Sequence, residues 1–167
     1  MGYQWGGKFA VQQTHDSYPE LELIQTESEC GNGENTWEYA LYIYELMHHY
    51  FRNGASAYMY WNMVLPAGGE SSWGWRQNSL VTVNEAQPQY NHEYYLMKHF
   101  AHFVKPGARY LQTHGAWSAN TTAFQNSDGT KVFVILNPLP QEIPVAVGGA
   151  SYTLQKNSLN TIVINQK

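Results

Sequence analysis

Two carboxylates follow an apolar run of strand length. In the stretch "LELIQTESECGNGENTWEYA", residues 21–40, Glu27 and Glu29 come directly after the apolar residues, and glycines then lead into a helix pattern. In βα barrels the catalytic groups lie at the carboxyl ends of the strands, which is the position Glu27 takes here. A solvated acid that aids the helix dipole is the simpler interpretation, and the pattern alone favours it.

A tryptophan and an amide follow the next strand-like run, "ASAYMYWN", which ends in Trp61-Asn62. Because the carboxyl ends of parallel strands converge on one mouth, we expect Glu27 and Trp61 to face the same cavity. Taken alone, Trp61 would be a core residue, since a single aromatic side chain in a strand usually is.

The elements that position these residues alternate between strand and helix. Asn35 predicts the N-cap of a helix that ends at Asn53-Gly54, and Asn91 predicts the cap of a second helix that stops at Pro106-Gly107. Residues 63–79 lie between them and predict a Gly-rich loop. Alternating strands and helices indicate a parallel βα architecture. Two such units are too few for a closed parallel sheet, so we expect this module to be incomplete.

The pattern changes after Gly107. The residues that follow alternate between apolar and polar, carry turn signals such as Ser127-Asp128-Gly129 and show no helical stretch. They predict the antiparallel strands of a sandwich-like module, with a boundary at about 105–108.

Composition narrows the range of partners. A charged fraction of 13% and a formal net charge of -4 argue against nucleic acid, which requires clustered Lys and Arg. Six Trp and thirteen Tyr suit an uncharged polyhydroxyl ligand, because flat rings cover C–H faces. No run is long enough to span a membrane, and Cys30, the single cysteine, cannot form an internal disulfide. The pairs His48-His49 and His99/His102 predict no metal site, because no third ligand completes either pair.

Several segments in the same order resemble glycoside hydrolase family 30, which contains glucosylceramidases, β-1,6-glucanases and related retaining β-glycosidases. They are "LELIQTESECGNGENTWEYA", "NGASAYMYWNMVL", "SSWGWRQNSLV", "YNHEYYLMKHFAHFVKPGA" and "AFQNSDGTKVFVILN". The resemblance covers only the family's C-terminal portion. It implies an α/β plus all-β fold, with residues 1–105 as the last βα units of a (β/α)8 TIM barrel and 106–167 as part of an antiparallel β-sandwich domain.

The resemblance also implies roles for individual residues. Glu27, in "QTESE", matches the family's catalytic nucleophile, whereas Glu29 and Cys30 acquire no role. Trp73 is close enough to one matched position, Trp75, that either ring could reach sugar. The substrate-binding residues that it implies are Trp5, Trp61, Asn62, Trp75 and Asn78. Neither a metal nor an organic cofactor is implied.

The second carboxyl group of a retaining glycosidase, about 5 Å from the first, has no match in this chain. In the family it belongs to an Asn-Glu pair upstream of the nucleophile. No such pair precedes Glu27, and Asn84-Glu85 follows it. Glu29 lies on the same segment as Glu27 and cannot reach the opposite side of a glycosidic bond. The acid/base residue is therefore expected to lie outside the chain, which we interpret as a fragment with little turnover alone.

These observations predict retaining hydrolysis of a β-glycosidic bond in a glucosylceramide-like or β-glucan-like substrate. The alternative is a non-catalytic carbohydrate-binding or structural fragment that self-associates or requires a complementing N-terminal barrel portion. The chain shows no signal-peptide pattern, and we expect the full-length protein to be secreted or extracellular.

Overall fold

The computed structural model describes residues 1–27, 29–85 and 87–165. The chain divides into two compact units, residues 1–96 and residues 97–167. Each unit has its own sheets and its own packed side chains.

Three short parallel strands form the first sheet. They are β1 (Gly2–Tyr3), β2 (Leu23–Gln25) and β3 (Ala55–Tyr58), in the order β1-β2-β3. Tyr3 lies opposite Gln25, and Gln25 lies opposite Tyr58. The predicted parallel arrangement of the second and third strands is therefore confirmed, although each strand is shorter than its apolar run.

Helices connect these strands. A 3₁₀ helix (Trp5–Phe9) and α1 (Val11–Ser17) lie between β1 and β2, and α2 (Trp37–Arg52) lies between β2 and β3. Side chains of α1 and α2 pack with side chains of the three strands in one apolar cluster. Its buried members are Tyr3, Val11, Leu23, Tyr50 and Ala55, with the half-buried Tyr58 packed against them.

The N-cap of α2 is Thr36, not the predicted Asn35. The Thr36 side chain accepts a hydrogen bond from the Tyr39 amide at 3.2 Å. Asn35 has a φ of 51°, and its Oδ1 accepts a hydrogen bond from the Ser79 amide at 2.8 Å. A side chain that binds a distant loop in this way cannot also cap the helix. The predicted end of the helix is confirmed, since α2 stops at Arg52 and Gly54 has a φ of 84°.

A second small sheet lies downstream of β3. It contains β4 (Val64–Pro66), β5 (Val81–Asn84) and β6 (Gln87–Tyr90) in the order β4-β5-β6. The strand β4 falls inside the segment that the sequence predicts as loop. Its pairing is parallel to β5 and non-local, so the Gly- and Pro-rich local sequence does not reveal it.

The predicted second helix is α3 (His92–Ala101), which ends before the predicted stop. Helical spacing in the sequence predicts an apolar face of Tyr94, Met97, Phe100 or Ala101, and Val104. Phe100 is buried as predicted, but Tyr94 and Met97 are only half-buried. Glu93 and Leu96 are buried with Phe100 instead, and apolar periodicity cannot select a glutamate.

The second unit is built from antiparallel strands, as the sequence predicts. They are β7 (Arg109–Leu111), β8 (Thr121–Gln125), β9 (Lys131–Asn137), β10 (Ile143–Val147), β11 (Ala150–Leu154) and β12 (Ser158–Ile164). Four of them form a sheet in the order β12-β9-β8-β7, and β10 and β11 form a hairpin. Ile135 and Ile162 of the sheet pack against Leu154 of the hairpin, so two layers share one apolar core.

Gly31 lies against the side chain of Asn78. Its φ is 64°, and a Cβ atom built on it would lie 2.6 Å from Asn78 Cγ. Gly68 also has a positive φ, of 86°, but a Cβ there would have no neighbour within 4 Å. An alanine at Gly68 would therefore cause backbone strain alone, whereas an alanine at Gly31 would cause backbone strain and a steric collision.

We expect Gly31→Ala to lower the free energy of unfolding more than Gly68→Ala does. Both variants incur the left-handed backbone cost of about 1–2 kcal/mol, and only Gly31→Ala adds overpacking of about 1–3 kcal/mol. Urea unfolding of both variants and wild type measures the difference. Equal losses would show that the collision with Asn78 is relieved without a cost in stability.

Candidate active site

The carboxyl ends of the three parallel strands lie at one edge of the sheet. The hydrogen bonding continues past the strands, since the Thr26 amide donates to Tyr3 O at 2.8 Å and the Met59 amide donates to Gln25 O at 3.0 Å. Trp5, Glu27 and Trp61 follow β1, β2 and β3 respectively, within two or three residues of each strand end. Parallel pairing thus places the three predicted site residues at the same sheet edge.

Trp5 and Glu27 are in direct contact. The indole Nε1 of Trp5 donates a hydrogen bond to Glu27 Oε1 at 2.6 Å. The carboxylate is half-buried, and 42% of the Trp5 residue surface is exposed. Glu27 Oε2 accepts no hydrogen bond from the described part of the chain, so one oxygen is held and the other is available to a ligand.

The other predicted aromatic residues are exposed. Trp61 is 42% exposed, Trp75 is 55% exposed and Trp73 is 78% exposed. Trp73 and Trp75 lie in a tight turn, which closes through a hydrogen bond from the Ser71 amide to Trp75 O at 2.8 Å. An exposed indole face is what stacking on a sugar ring requires. Both rings meet this condition, so the two alternatives for this position stay open.

Asn62 ties the segment after β3 to the Trp-bearing loop. Its Nδ2 donates to Gln77 Oε1 at 2.9 Å and to Asn78 O at 3.4 Å. In the backbone, the Leu80 amide donates to Asn62 O at 3.0 Å. Asn62 is half-buried, so its side chain holds the loop in place at the edge of the site.

Asn78 lies beneath the site rather than on its surface. The sequence predicts a sugar-lining residue, but Asn78 is fully buried. Its Oδ1 accepts hydrogen bonds from the amides of Gly33 at 2.8 Å and Asn35 at 3.3 Å. Its Nδ2 donates to Glu93 Oε1 at 2.7 Å. The side chain therefore fixes the loop after Glu27 and makes no surface available to a ligand.

Glu93 completes this buried network, and the sequence did not identify it. It is fully buried, and its Oε2, like the hydroxyl of Tyr60, has no hydrogen-bond partner in the described part of the chain. Burial raises the pKa of Glu93. Burial, followed by the neighbouring charge of Glu93, also raises the pKa of Tyr60. From sequence, a glutamate near the start of a helix is read as a solvated acid, so no local signal marks it as buried.

Glu29, to which the family resemblance assigns no role, is bound by two side chains. Lys8 Nζ and the Tyr42 hydroxyl both donate to its carboxylate. The carboxylate is thus engaged by two partners two residues away from Glu27.

No group of three or more His, Cys, Asp or Glu side chains is placed to hold a metal ion in the described ranges. His49 Nε2 lies 2.8 Å from Lys8 O, and His99 Nδ1 lies 2.7 Å from Thr161 Oγ1. These two rings are engaged by protein atoms. Among the described helices, none has the length and apolar character needed to cross a membrane.

The second unit matches the glycosyl hydrolase family 30 beta sandwich domain over residues 107–162. A Caenorhabditis elegans relative named as a glucosylceramidase is 29% identical over 141 residues, which are 77% of this chain and 27% of the relative. An endo-1,6-beta-D-glucanase of Neurospora crassa is 36% identical over 81 residues, which are 43% of this chain and 17% of that protein.

The fold agrees with these similarities. The solved structure of the endo-beta1,6-glucanase BT3312 superposes with a TM-score of 0.85 at 24% identity, and the match covers 99% of this chain and 41% of that chain. The chain spans about a quarter of the length of the first curated relatives. The resemblance to glycoside hydrolase family 30 is confirmed, and it concerns a C-terminal portion of the family's enzymes.

The buried carboxyl of Glu93 predicts a pH dependence of stability. Because its pKa is raised in the folded state from the ordinary value of 4.5, the folded protein binds this proton more tightly than the unfolded chain does. The protonated carboxyl contributes fully to the stability of the fold at a pH below that ordinary value. This contribution is lost as the pH rises through the raised pKa. We expect Glu93→Gln, which keeps an oxygen acceptor for Asn78, to remove this loss.

The measurement is the urea midpoint between pH 4 and pH 8. The difference between Glu93→Gln and wild type is expected to grow with pH in favour of the variant. Glu45→Gln is the matched control, since Glu45 is an exposed glutamate in the middle of α2, and it is expected to follow wild type. Parallel curves for Glu93→Gln and wild type would contradict the raised pKa.

Proposed function

We propose that this chain is the C-terminal part of a retaining β-glycosidase and that Glu27 is its nucleophile. The observation that carries the proposal is the hydrogen bond of 2.6 Å from Trp5 Nε1 to Glu27 Oε1, made where two adjacent parallel strands end. A single indole donor orients a carboxylate and leaves its second oxygen able to react. Family resemblance at the "QTESE" segment supports the same assignment.

In the proposed reaction one oxygen of Glu27 attacks the anomeric carbon of the sugar. The new bond to carbon forms as the bond to the leaving oxygen breaks, and an acid/base carboxyl group protonates that oxygen. Water, deprotonated by the same group, then attacks the glycosyl-enzyme ester, releasing the sugar and regenerating Glu27. The acid/base group would come from a polypeptide portion upstream of Glu27, as it does in the family.

Domain organisation follows from the same proposal. Residues 1–105 would be the last βα units of a (β/α)8 barrel, and residues 106–167 would be part of the β-sandwich. The three parallel strands with covering helices support the first assignment. The antiparallel sheet and hairpin support the second.

The proposed substrate is a β-linked glycan or a glycolipid of the glucosylceramide or β-glucan class. Trp61 and Trp75 would stack on sugar rings, since both are about half exposed. Asn62 and Asn78 would act through the loops they hold, because their side-chain amides are bonded to protein atoms. A glycan outside the cell would be consistent with a secreted protein.

One observation favours a second function. No Asn-Glu pair precedes Glu27, so the chain by itself lacks the matched proton donor. Without that donor, assistance to the leaving group worth about 10²–10⁴-fold would be lost. A non-catalytic, carbohydrate-binding or structural fragment with a partner chain is the resulting alternative.

A 2-fluoro glycoside that traps retaining nucleophiles separates the two functions. We expect covalent mass on the peptide that contains Glu27, in the presence of a polypeptide covering the upstream portion of a relative, and no such mass with Glu27→Gln. The measurement is mass spectrometry of the digested protein. Glu38→Gln is the matched control, since Glu38 is an exposed glutamate in the first turn of α2.

Labelling of another residue would reject Glu27 as the nucleophile. No labelling of a folded chain with the complement present would favour the binding or structural function. That result would gain weight if a β-glucan oligosaccharide still shifted the tryptophan fluorescence.

A further inference from the structure

Two parallel contacts join the 3₁₀ helix that carries Trp5 to the segment that carries Glu27. The first is the hydrogen bond from Trp5 Nε1 to Glu27 Oε1, at 2.6 Å. The second is the ion pair between Lys8 Nζ and Glu29 Oε1. The donors are three positions apart in the sequence, and the acceptors are two positions apart.

The spacing of the two donors follows from the geometry of the 3₁₀ helix. In a 3₁₀ helix, side chains three residues apart eclipse each other and are about 6 Å apart along the axis. Trp5 and Lys8 therefore lie on the same side of the 3₁₀ helix, and their side chains meet Glu27 and Glu29 respectively.

A glycine allows the 3₁₀ helix to approach closely enough. A Cβ atom on Gly7 would lie 2.3 Å from Tyr3 Cδ1. Tyr3 is a buried member of the apolar cluster. The turn between Trp5 and Lys8 thus rests directly on the core, and its position relative to β1 is fixed.

The helix α2 supports the second contact. The Tyr42 hydroxyl donates to Glu29 Oε2, and Lys8 Nζ donates to that hydroxyl at 2.7 Å. The Tyr39 hydroxyl donates to Glu29 O at 2.8 Å. We refer to Lys8, Glu29 and Tyr42 as the Lys8 clamp. Both oxygens of Glu29 are occupied within it.

The Lys8 clamp is partly shielded from water. The side chains of Lys8 and Glu29 are only 19% and 30% exposed. The hydrogen bond that Lys8 donates to Glu29 is the main cause of the raised pKa of the Lys8 ammonium group, so this group stays charged. A pair of this kind is screened less than a surface ion pair, and it can hold two segments in register.

We infer that Lys8 is a positioning residue for Glu27: through Glu29 and Tyr42 it fixes the turn that presents the Trp5 indole N–H to the nucleophile. The inference rests on the proposed function for its catalytic meaning. Its geometric content, that loss of the Lys8 ammonium loosens the Trp5–Glu27 hydrogen bond, does not depend on turnover. Glu29 thereby acquires a role as the partner of the positioning residue.

The indole N–H resonance of Trp5 in nuclear magnetic resonance spectra tests the geometric content. Trp5→Phe assigns the resonance, and Glu27→Gln shows how far it moves when the charged acceptor is lost. We expect Lys8→Met, which keeps most of the aliphatic stem, to move the resonance in the same direction. Lys156→Met is the control, since Lys156 is an exposed lysine, and it is expected to leave the resonance unchanged.

A second variant protects the test against misfolding of the first. Glu29→Gln keeps the size and an oxygen acceptor for Tyr42 and removes only the charge. We expect the same movement of the Trp5 resonance, and we expect Lys8→Arg to restore much of the wild-type position because a guanidinium can still donate to Glu29. An unchanged Trp5 resonance in folded Lys8→Met or Glu29→Gln overturns the inference.

The rate of labelling by the 2-fluoro glycoside tests the catalytic meaning. We expect Lys8→Met to slow labelling at saturating reagent by about tenfold to a hundredfold, because a misplaced nucleophile loses orientation, with a smaller change in the reagent concentration at half-saturation. Labelling at the wild-type rate would overturn the positioning role and leave the proposed nucleophile intact. Absence of labelling in wild type would count against the proposed function, whereas the resonance would still report on the clamp.

Discussion

The parallel pairing of β1, β2 and β3 is the constraint on which the candidate site depends. These strands contain only two to four residues each, so few ladder hydrogen bonds hold them. Their carboxyl ends nevertheless lie at one edge because the register continues beyond the strands, through the Thr26 and Met59 amides. A shift of one residue in β2 would turn Glu27 to the opposite face. The site therefore requires contacts outside the sheet that hold this register.

Asn78 and Lys8 provide such contacts at two places on the same segment. Asn78 binds the amides of Gly33 and Asn35, several residues after Glu27. Lys8 binds Glu29 from the 3₁₀ helix, two positions after Glu27. Gly31 leaves the space that the Asn78 side chain fills. The polar side chains and Gly31 together hold the loop between β2 and α2 in one conformation.

Much of this arrangement was accessible from the sequence, because it depends on local patterns. The apolar run before Glu27, the end of α2 at Gly54 and the antiparallel strands of the second unit all follow from periodicity and turn residues. The roles of Asn35, Asn78 and Glu93 did not follow. Each of these roles depends on a partner more than ten residues away in the sequence. The identity of a polar residue does not indicate whether its side chain is solvated or buried. Family resemblance could place Asn78 near the site, but only its hydrogen bonds reveal that it lies beneath it.

The exposed tryptophans are the part of the structure that folding alone does not explain. Large aromatic side chains gain free energy from burial, yet Trp61, which follows β3, and Trp75 both remain about half exposed. Trp5 differs from them, because its N–H is bound to Glu27 and its ring is held in one orientation. A ring that is already fixed loses little side-chain entropy when a ligand stacks on it. The same hydrogen bond, made between two adjacent strand ends, therefore orients the carboxylate and holds an aromatic ring beside it.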